Sequence, residues 1–276
     1  LPETAVSVTA SLVNNNELAV SNVVGSNIFN LMVVVGVCSI LTPILVQKET
    51  IKRDIPFSMI CAFLLLGLGI LAVGDKSGMT LGHLDGMILL GFFAGYIVAM
   101  IRSAMKARAA GKNVEIEGIE ELEEEIGILS WPKSILFIVG GALAIAFGGD
   151  LTVDAASRIA IDLGMSQTLV GLTIVSIGTS LPELVTSVVA ARKNEVDMAV
   201  GNAVGSNIFN ILMVLGIASA INPVALIREN IIDIVILIVF SLIVWIYAAT
   251  KRKISRKEGI SMVCLYLIYA GYIIWR

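Results

Sequence analysis

Residues 1–43 recur as residues 181–223, at a constant offset of 180 and without a gap, with nearly half of the positions identical. Leu-Pro-Glu stands at 1–3 and again at 181–183, and Gly-Ser-Asn-Ile-Phe-Asn at 25–30 and again at 205–210. Equal residues carry equal local preferences, so the chain is built from two like halves. What lies between the copies sets their relative direction. Apolar runs fall at about 18–45, 55–73, 84–102, 133–150, 166–192, 196–221, 230–250 and 257–275, each near the length of about 20 residues that crosses the hydrocarbon layer as a helix. Residues 1–13 read as the second half of one more. The segment of Glu183 is five steps after that of Glu3, an odd number, so the halves run inverted to each other across the membrane. Leu12-Val13 at the end of the first Glu segment become Arg192-Lys193 in the second, as expected if only the second ends at a basic cytoplasmic surface.

Composition agrees with an all-α integral membrane protein. Only 15% of the residues are charged, where soluble domains carry about 25%, and the mean hydropathy is +0.92. A formal net charge of −3 gives no reason to expect nucleic acid as a partner. Cys38, Cys61 and Cys264 lie in apolar runs without metal spacing and read as small buried hydrophobes, while His83, the single histidine, reads as a loop residue at the surface. The loops at 46–54, 102–133, 192–197 and 251–257 fall on one side and hold 15 of the 19 Lys and Arg. By the positive-inside rule that side is cytoplasmic and the carboxyl terminus lies outside.

The expected division is a first half at 1–102, an acidic cytoplasmic loop at 103–132 and a second half at 133–276. The loop carries seven Glu between Glu115 and Glu125, which reads as a solvated linker, with a calcium site as the alternative. The segment at 133–150 has its counterpart, at the offset of 180, before Leu1. The intact protein is therefore expected to have ten helices, of which the first and half of the second are missing here. Helices 2–5 then make up the first half and helices 6–10 the second.

Glu3 and Glu183 are the residues that such a membrane span has most reason to exclude. A charged side chain at mid-membrane costs about 2.5–3.5 kcal/mol on insertion scales, so it persists where it pairs, meets water or binds an ion. Ser176, Ser180, Glu183 and Ser187 are spaced to share one helical face, bordered by Thr173 and Thr179. Pro182 has no N–H, which frees the Gly178 carbonyl and predicts a broken helix offering backbone oxygens. Asn202, Ser206 and Asn210 recur every fourth residue, as do Asn22, Ser26 and Asn30, with Asn27 and Asn207 beside them. Gly201 and Gly205 read as a close-packing face. All these donors are oxygens, a set that selects hard cations such as sodium, calcium, potassium or a proton.

Glycine-Thr-Ser-Leu-Pro-Glu at 178–183 and the two Gly-Ser-Asn-Ile motifs make the chain resemble the sodium/calcium exchangers of the calcium/cation antiporter superfamily, particularly the prokaryotic ones. The resemblance implies a ten-helix fold of two inverted five-helix repeats and alternating access by sliding of a two-helix gating bundle. It implies that Glu3 and Glu183 are the central calcium and sodium ligands. Thr179, Ser180 and the Ser176 carbonyl join them, with Ser26, Asn30, Ser206 and Asn210 from the following helices. The first repeat lacks its Gly-Thr-Ser, so residues 1–276 alone are not expected to complete the site or to transport. Asn210 stands where many relatives carry Asp, which argues against potassium co-transport.

The expected function is exchange of sodium for calcium, with more than two sodium ions per calcium. A proton/calcium antiporter is the alternative, because two neighbouring carboxylates can share a proton; a potassium-dependent exchanger is the less favoured one. A passive channel is disfavoured by the inverted repeats, and an enzyme by the lack of a Ser-His or Cys-His pair. The expected partners are calcium, sodium and the lipid bilayer, with no cofactor, a monomeric transport unit and residence in the cell membrane.

Overall fold

In hydrocarbon every backbone N–H and C=O must find its partner inside the chain, so apolar runs close into helices. The computed structural model describes residues 2–12, 16–71, 79–109, 131–162, 164–192 and 196–276. The first half holds α1 (Pro2–Leu12), α2 (Asn16–Phe29) and α3 (Val35–Leu41), then α4 (Ile55–Leu71) and α5 (His83–Ala109). One wide π-helical turn, Asn30–Val34, joins α2 to α3 in a single rod, and another, Thr50–Asp54, leads into α4. The second half opens with α6 (Trp131–Asp162) and the short α7 (Gln167–Val170), which passes through a π turn, Gly171–Val175, into α8 (Ser176–Arg192). It continues with α9 (Val196–Phe209), a π turn at Asn210–Val214 and α10 (Leu215–Ile221), then α11 (Arg228–Lys251) and α12 (Arg256–Trp275). The same deviation from α geometry at Asn30 and Asn210 shows how closely the duplicated residues dictate duplicated structure.

Seven helical stretches among the described residues are long and apolar enough to cross a membrane. Their burial sorts them. The α2–α3 rod, over Leu18–Leu41, is 83% buried, whereas α5 over His83–Lys106 is 17% buried, so the Asn-bearing rod is central and α5 faces outward. The main core runs along α2–α3 and α9–α10, with Ile28, Met32, Ile208 and Leu212 fully enclosed.

The two halves are interlocked. Two-residue strands β1 (Ile44–Leu45) and β4 (Lys253–Ile254) pair antiparallel with Ile44 opposite Ile254, and β2 (Thr80–Leu81) pairs with β3 (Val224–Ala225) with Leu81 opposite Val224. Each pair joins one half to the other. Glycine contacts follow the same exchange: a Cβ on Gly259 of α12 would lie 2.7 Å from the Gly36 carbonyl of α3, and one on Gly86 of α5 would lie 2.5 Å from the Ala220 amide of α10. Only glycine admits such approach.

Several expectations from the sequence are corrected. Pro182 does not break its helix: α8 runs unbroken through it, and the departure from α geometry lies upstream at Gly171–Val175. A single missing donor leaves the flanking helical bonds to hold the rod. Among the described residues a Cβ on Gly201 or Gly205 meets nothing within 4 Å, so the close packing expected of them is not made there. The equivalent Gly25 does pack, against Leu172 and Ser176, and the counterparts of those two residues at the offset of 180 fall before Leu1. Cys264 is exposed rather than buried. Helices α5 and α6 outlast their apolar runs, to Ala109 and Asp162, because Ala, Lys and Arg sustain a helix as well as apolar residues do. The acidic run at 115–125 lies outside the described residues.

Candidate ion-binding site

Close approach of α2 to α8 builds the site. A Cβ on Gly25 would lie 2.6 Å from Ser176 Oγ, and one on Gly171 would lie 2.8 Å from the Ser21 Cβ. At that separation short hydroxyl side chains span the gap. Ser26 Oγ lies 3.1 Å from Thr179 Oγ1 and donates to the Ser176 carbonyl at 3.3 Å, while Thr179 Oγ1 donates to Asn22 Oδ1 at 3.2 Å. Asn22 in turn donates to Ser7 Oγ of α1 at 3.0 Å. Ser26, Asn22 and Ser176 are fully buried.

Glu3 of α1 is 2% exposed, and Ser180 of α8 donates to its Oε1 at 3.4 Å, so the first carboxylate is tied to the helix of the second. Glu183 lies three residues further along α8, and its Oε2 is buried with no hydrogen-bond partner. The Ser176 hydroxyl donates to the Leu172 carbonyl at 2.6 Å, and the Ser176 backbone oxygen accepts from Ser26 of α2.

Four amides meet where α2 crosses α9. Asn27 donates to the Asn207 carbonyl at 3.2 Å and Asn207 to the Asn27 carbonyl at 3.0 Å. Asn30 donates to Asn207 Oδ1 at 3.4 Å, and Asn210 to Asn27 Oδ1 at 3.2 Å. The arrangement reads the same from either half. Asn30 Oδ1 is left buried without a partner.

Of the residues singled out from sequence, the structure links Glu3 with Ser180, Ser26 with Ser176 and Thr179, and Asn30 with Asn210 through the Asn27–Asn207 pair. Ser206 is half-buried one turn before Asn210, and none of these links reaches it. Sequence reasoning passed over the Ser7–Asn22 bond and its counterpart, Asn202 Nδ2 to Ser187 Oγ at 3.3 Å. The repeat carried that signal, since Ser and Asn recur together at the offset of 180. Thr4, whose Oγ1 is buried without a partner, carried none, because Leu184 replaces it in the second copy.

Other buried carboxylates sit elsewhere, Asp85 of α5 and Asp233 of α11 among them. Asp233 of α11 accepts two bonds from the Arg276 guanidinium, at 2.9 and 2.7 Å, and one from Tyr269 at 3.2 Å. Its chemistry is that of a closed ion pair. The crossing of α1, α2, α8 and α9 instead gathers carboxylate, amide, hydroxyl and backbone oxygens, some without protein partners. Among the described residues no cluster of three or more His, Cys, Asp or Glu accompanies them. Such a set suits a hard cation that exchanges, since neutral oxygens hold it less tightly than a cage of carboxylates.

Comparison with known proteins places these features in company. The family model described as sodium/calcium exchanger protein matches residues 1–102 and 133–275. The putative antiporter CaxA of Alkalimonas amylolytica is 35% identical over 97% of this chain and 82% of its own length. The inner membrane protein YrbG of Escherichia coli is 31% identical over 100% of this chain and 81% of its own. The structure of the sodium-calcium exchanger NCX_Mj soaked with sodium and strontium superposes with a TM-score of 0.73, at 29% identity, over 98% of this chain and 81% of that one.

Proposed function

Since the chain belongs to the sodium/calcium exchanger protein family, a family of membrane antiporters, we propose that it moves calcium across the cell membrane against sodium, with more than two sodium ions per calcium, by alternating access. The observation that carries the reading is the pair of unsatisfied buried oxygens, Glu183 Oε2 and Asn30 Oδ1, contributed by opposite halves. A bound cation satisfies both. Glu3, Ser26, Asn210, Ser206, Thr179, Ser180 and the Ser176 carbonyl complete the ligand set we assign. Two carboxylates balance one calcium or two sodium ions, so the two cargoes compete for the same charge. Sliding of a two-helix gating bundle past the rest of the molecule would open this shared site to each side in turn.

The intact protein, in sodium-loaded liposomes diluted into sodium-free buffer, is expected to take up calcium, and Glu183→Gln is expected to abolish that uptake. Equal calcium flux with and without the sodium gradient would sink the proposal. Uptake driven by a pH gradient alone assigns proton exchange instead. In the same reading the loop at 103–132 is cytoplasmic and the carboxyl terminus outside, which cysteine labelling from each face of sealed vesicles tests.

A further inference from the structure

The four amides at the α2–α9 crossing differ in what they face, although Asn27 and Asn30 stand in one short motif. A backbone carbonyl can only accept. Asn27 and Asn207 each meet the other's carbonyl, at 3.2 and 3.0 Å, so each must turn its NH2 there and its Oδ1 away. Those two Oδ1 atoms can in turn only accept, and they face Asn210 and Asn30 at 3.2 and 3.4 Å. Asn30 and Asn210 are thereby obliged to give their NH2 groups inward. Their own oxygens are left facing the other way, and that of Asn30 is buried with no partner in the protein. An amide is otherwise indifferent to a half-turn, and a half-turn would present an NH2 to the cation.

We propose that Asn27 and Asn207 are positioning residues that fix Asn30 and Asn210 with their carbonyl oxygens toward the cation and so set the affinity of the site. The proposal rests on the reading of Asn30 and Asn210 as ligands given above. The backbone carbonyls of Asn27 and Asn207 supply the reference direction, and the reciprocal bonds carry it to the ligand pair. Because each half orients the amide of the other, the ligands take their correct aspect only when both halves are in contact at this crossing.

The test uses the whole protein, purified and reconstituted, with apparent dissociation constants read from thermal stabilisation by calcium chloride and, separately, sodium chloride. Asn207→Ala removes the acceptor that holds Asn30, and the calcium constant is expected to rise about tenfold or more, the effect of losing a hydrogen bond that bears on a charged group. Asn207→Asp keeps an acceptor for Asn30, loses the donor to the Asn27 carbonyl and adds a negative charge, so calcium affinity is expected to stay within about threefold of wild type or to rise. Asn30→Asp has no NH2 to misdirect, and in that background Asn207→Ala is expected to cost little. Asn27→Ala and Asn27→Asp should repeat the pattern through Asn210. Equal losses in Asn207→Ala and Asn207→Asp would overturn the proposal and assign Asn207 a packing role. An undiminished effect of Asn207→Ala in the Asn30→Asp background would also overturn it. Should Asn207→Ala fail to fold, Asn207→Leu, close in volume but without an acceptor for Asn30, takes its place with the same expected loss, and a loss equal to that of Asn207→Asp overturns the proposal. Absence of any shift by either cation in the wild type counts against both readings, whereas cation binding without sodium/calcium exchange counts against the exchanger alone.

Discussion

The buried carboxylate of Asp233 and the pair Glu3 and Glu183 are finished differently. Around Asp233 every demand is met: Arg276 supplies a bidentate partner, Tyr269 a third bond, and the Arg276 guanidinium sits 5.5 Å from the Tyr272 ring centroid. Around Glu183 the demand is left open, with one carboxylate oxygen and the Asn30 amide oxygen buried and unpartnered. An unmade bond on a buried polar group costs about 1–3 kcal/mol, more for a charged one, so a fold keeps such groups only where something else fills them. The first cluster ties α12 to α11. The second leaves oxygens open, as the cation site we propose requires.

The largest effect should come from closing the open cluster. Glu183→Gln is expected to abolish exchange while leaving ion-free thermal stability unchanged or higher, because it removes a half-buried carboxylate of which one oxygen has no partner; a collapse in stability would make Glu183 a structural residue like Asp233. Next, Arg276→Met should cost about 3–5 kcal/mol of stability by stranding Asp233, with the calcium constant unmoved, and Asp233→Leu added to it should restore much of the loss. A changed calcium constant in Arg276→Met would join the two clusters into one. Gly259→Ala is expected to cost about 1–3 kcal/mol by overpacking α3 against α12, read as a lower melting temperature. The smallest contrast lies within the repeat. Asn22 is buried and bonded to both Ser7 and Thr179, whereas Asn202 is exposed and bonded to Ser187. Asn22→Ala should therefore cost about 1–3 kcal/mol and Asn202→Ala a few tenths, as unfolding in detergent would report.

Much of this was legible in the sequence because the repeat compares the chain with itself. Leu-Pro-Glu and Gly-Ser-Asn-Ile-Phe-Asn, each present twice, pointed to the Glu and Asn residues, and the odd number of segments to inversion. Which Asn orients and which is left open was not legible. Asn27 and Asn30 share one motif, and only contact with residues 180 positions away distinguishes their roles. Asp233 was passed over for a like reason, since its partner Arg276 stands a whole helix later and at the end of an apolar run. A G-x-x-x-G pattern states only what a helix can admit, and among the described residues nothing packs on Gly201 or Gly205. The π turns carried no signal beyond the Asn that begins two of them.

The exchange of helices between halves has a consequence for how the chain is made. Gly36 on α3 finds its partner in Gly259 on α12, and β1 finds β4, so a groove completed early in synthesis stays uncovered until the last helix emerges. At ribosomal rates of about 5–20 residues per second, the intervening stretch of roughly 220 residues takes on the order of 10–45 s to appear. Through that interval the Gly36 face of α3 is open to lipid or to other nascent segments, and α12 covers it when it emerges.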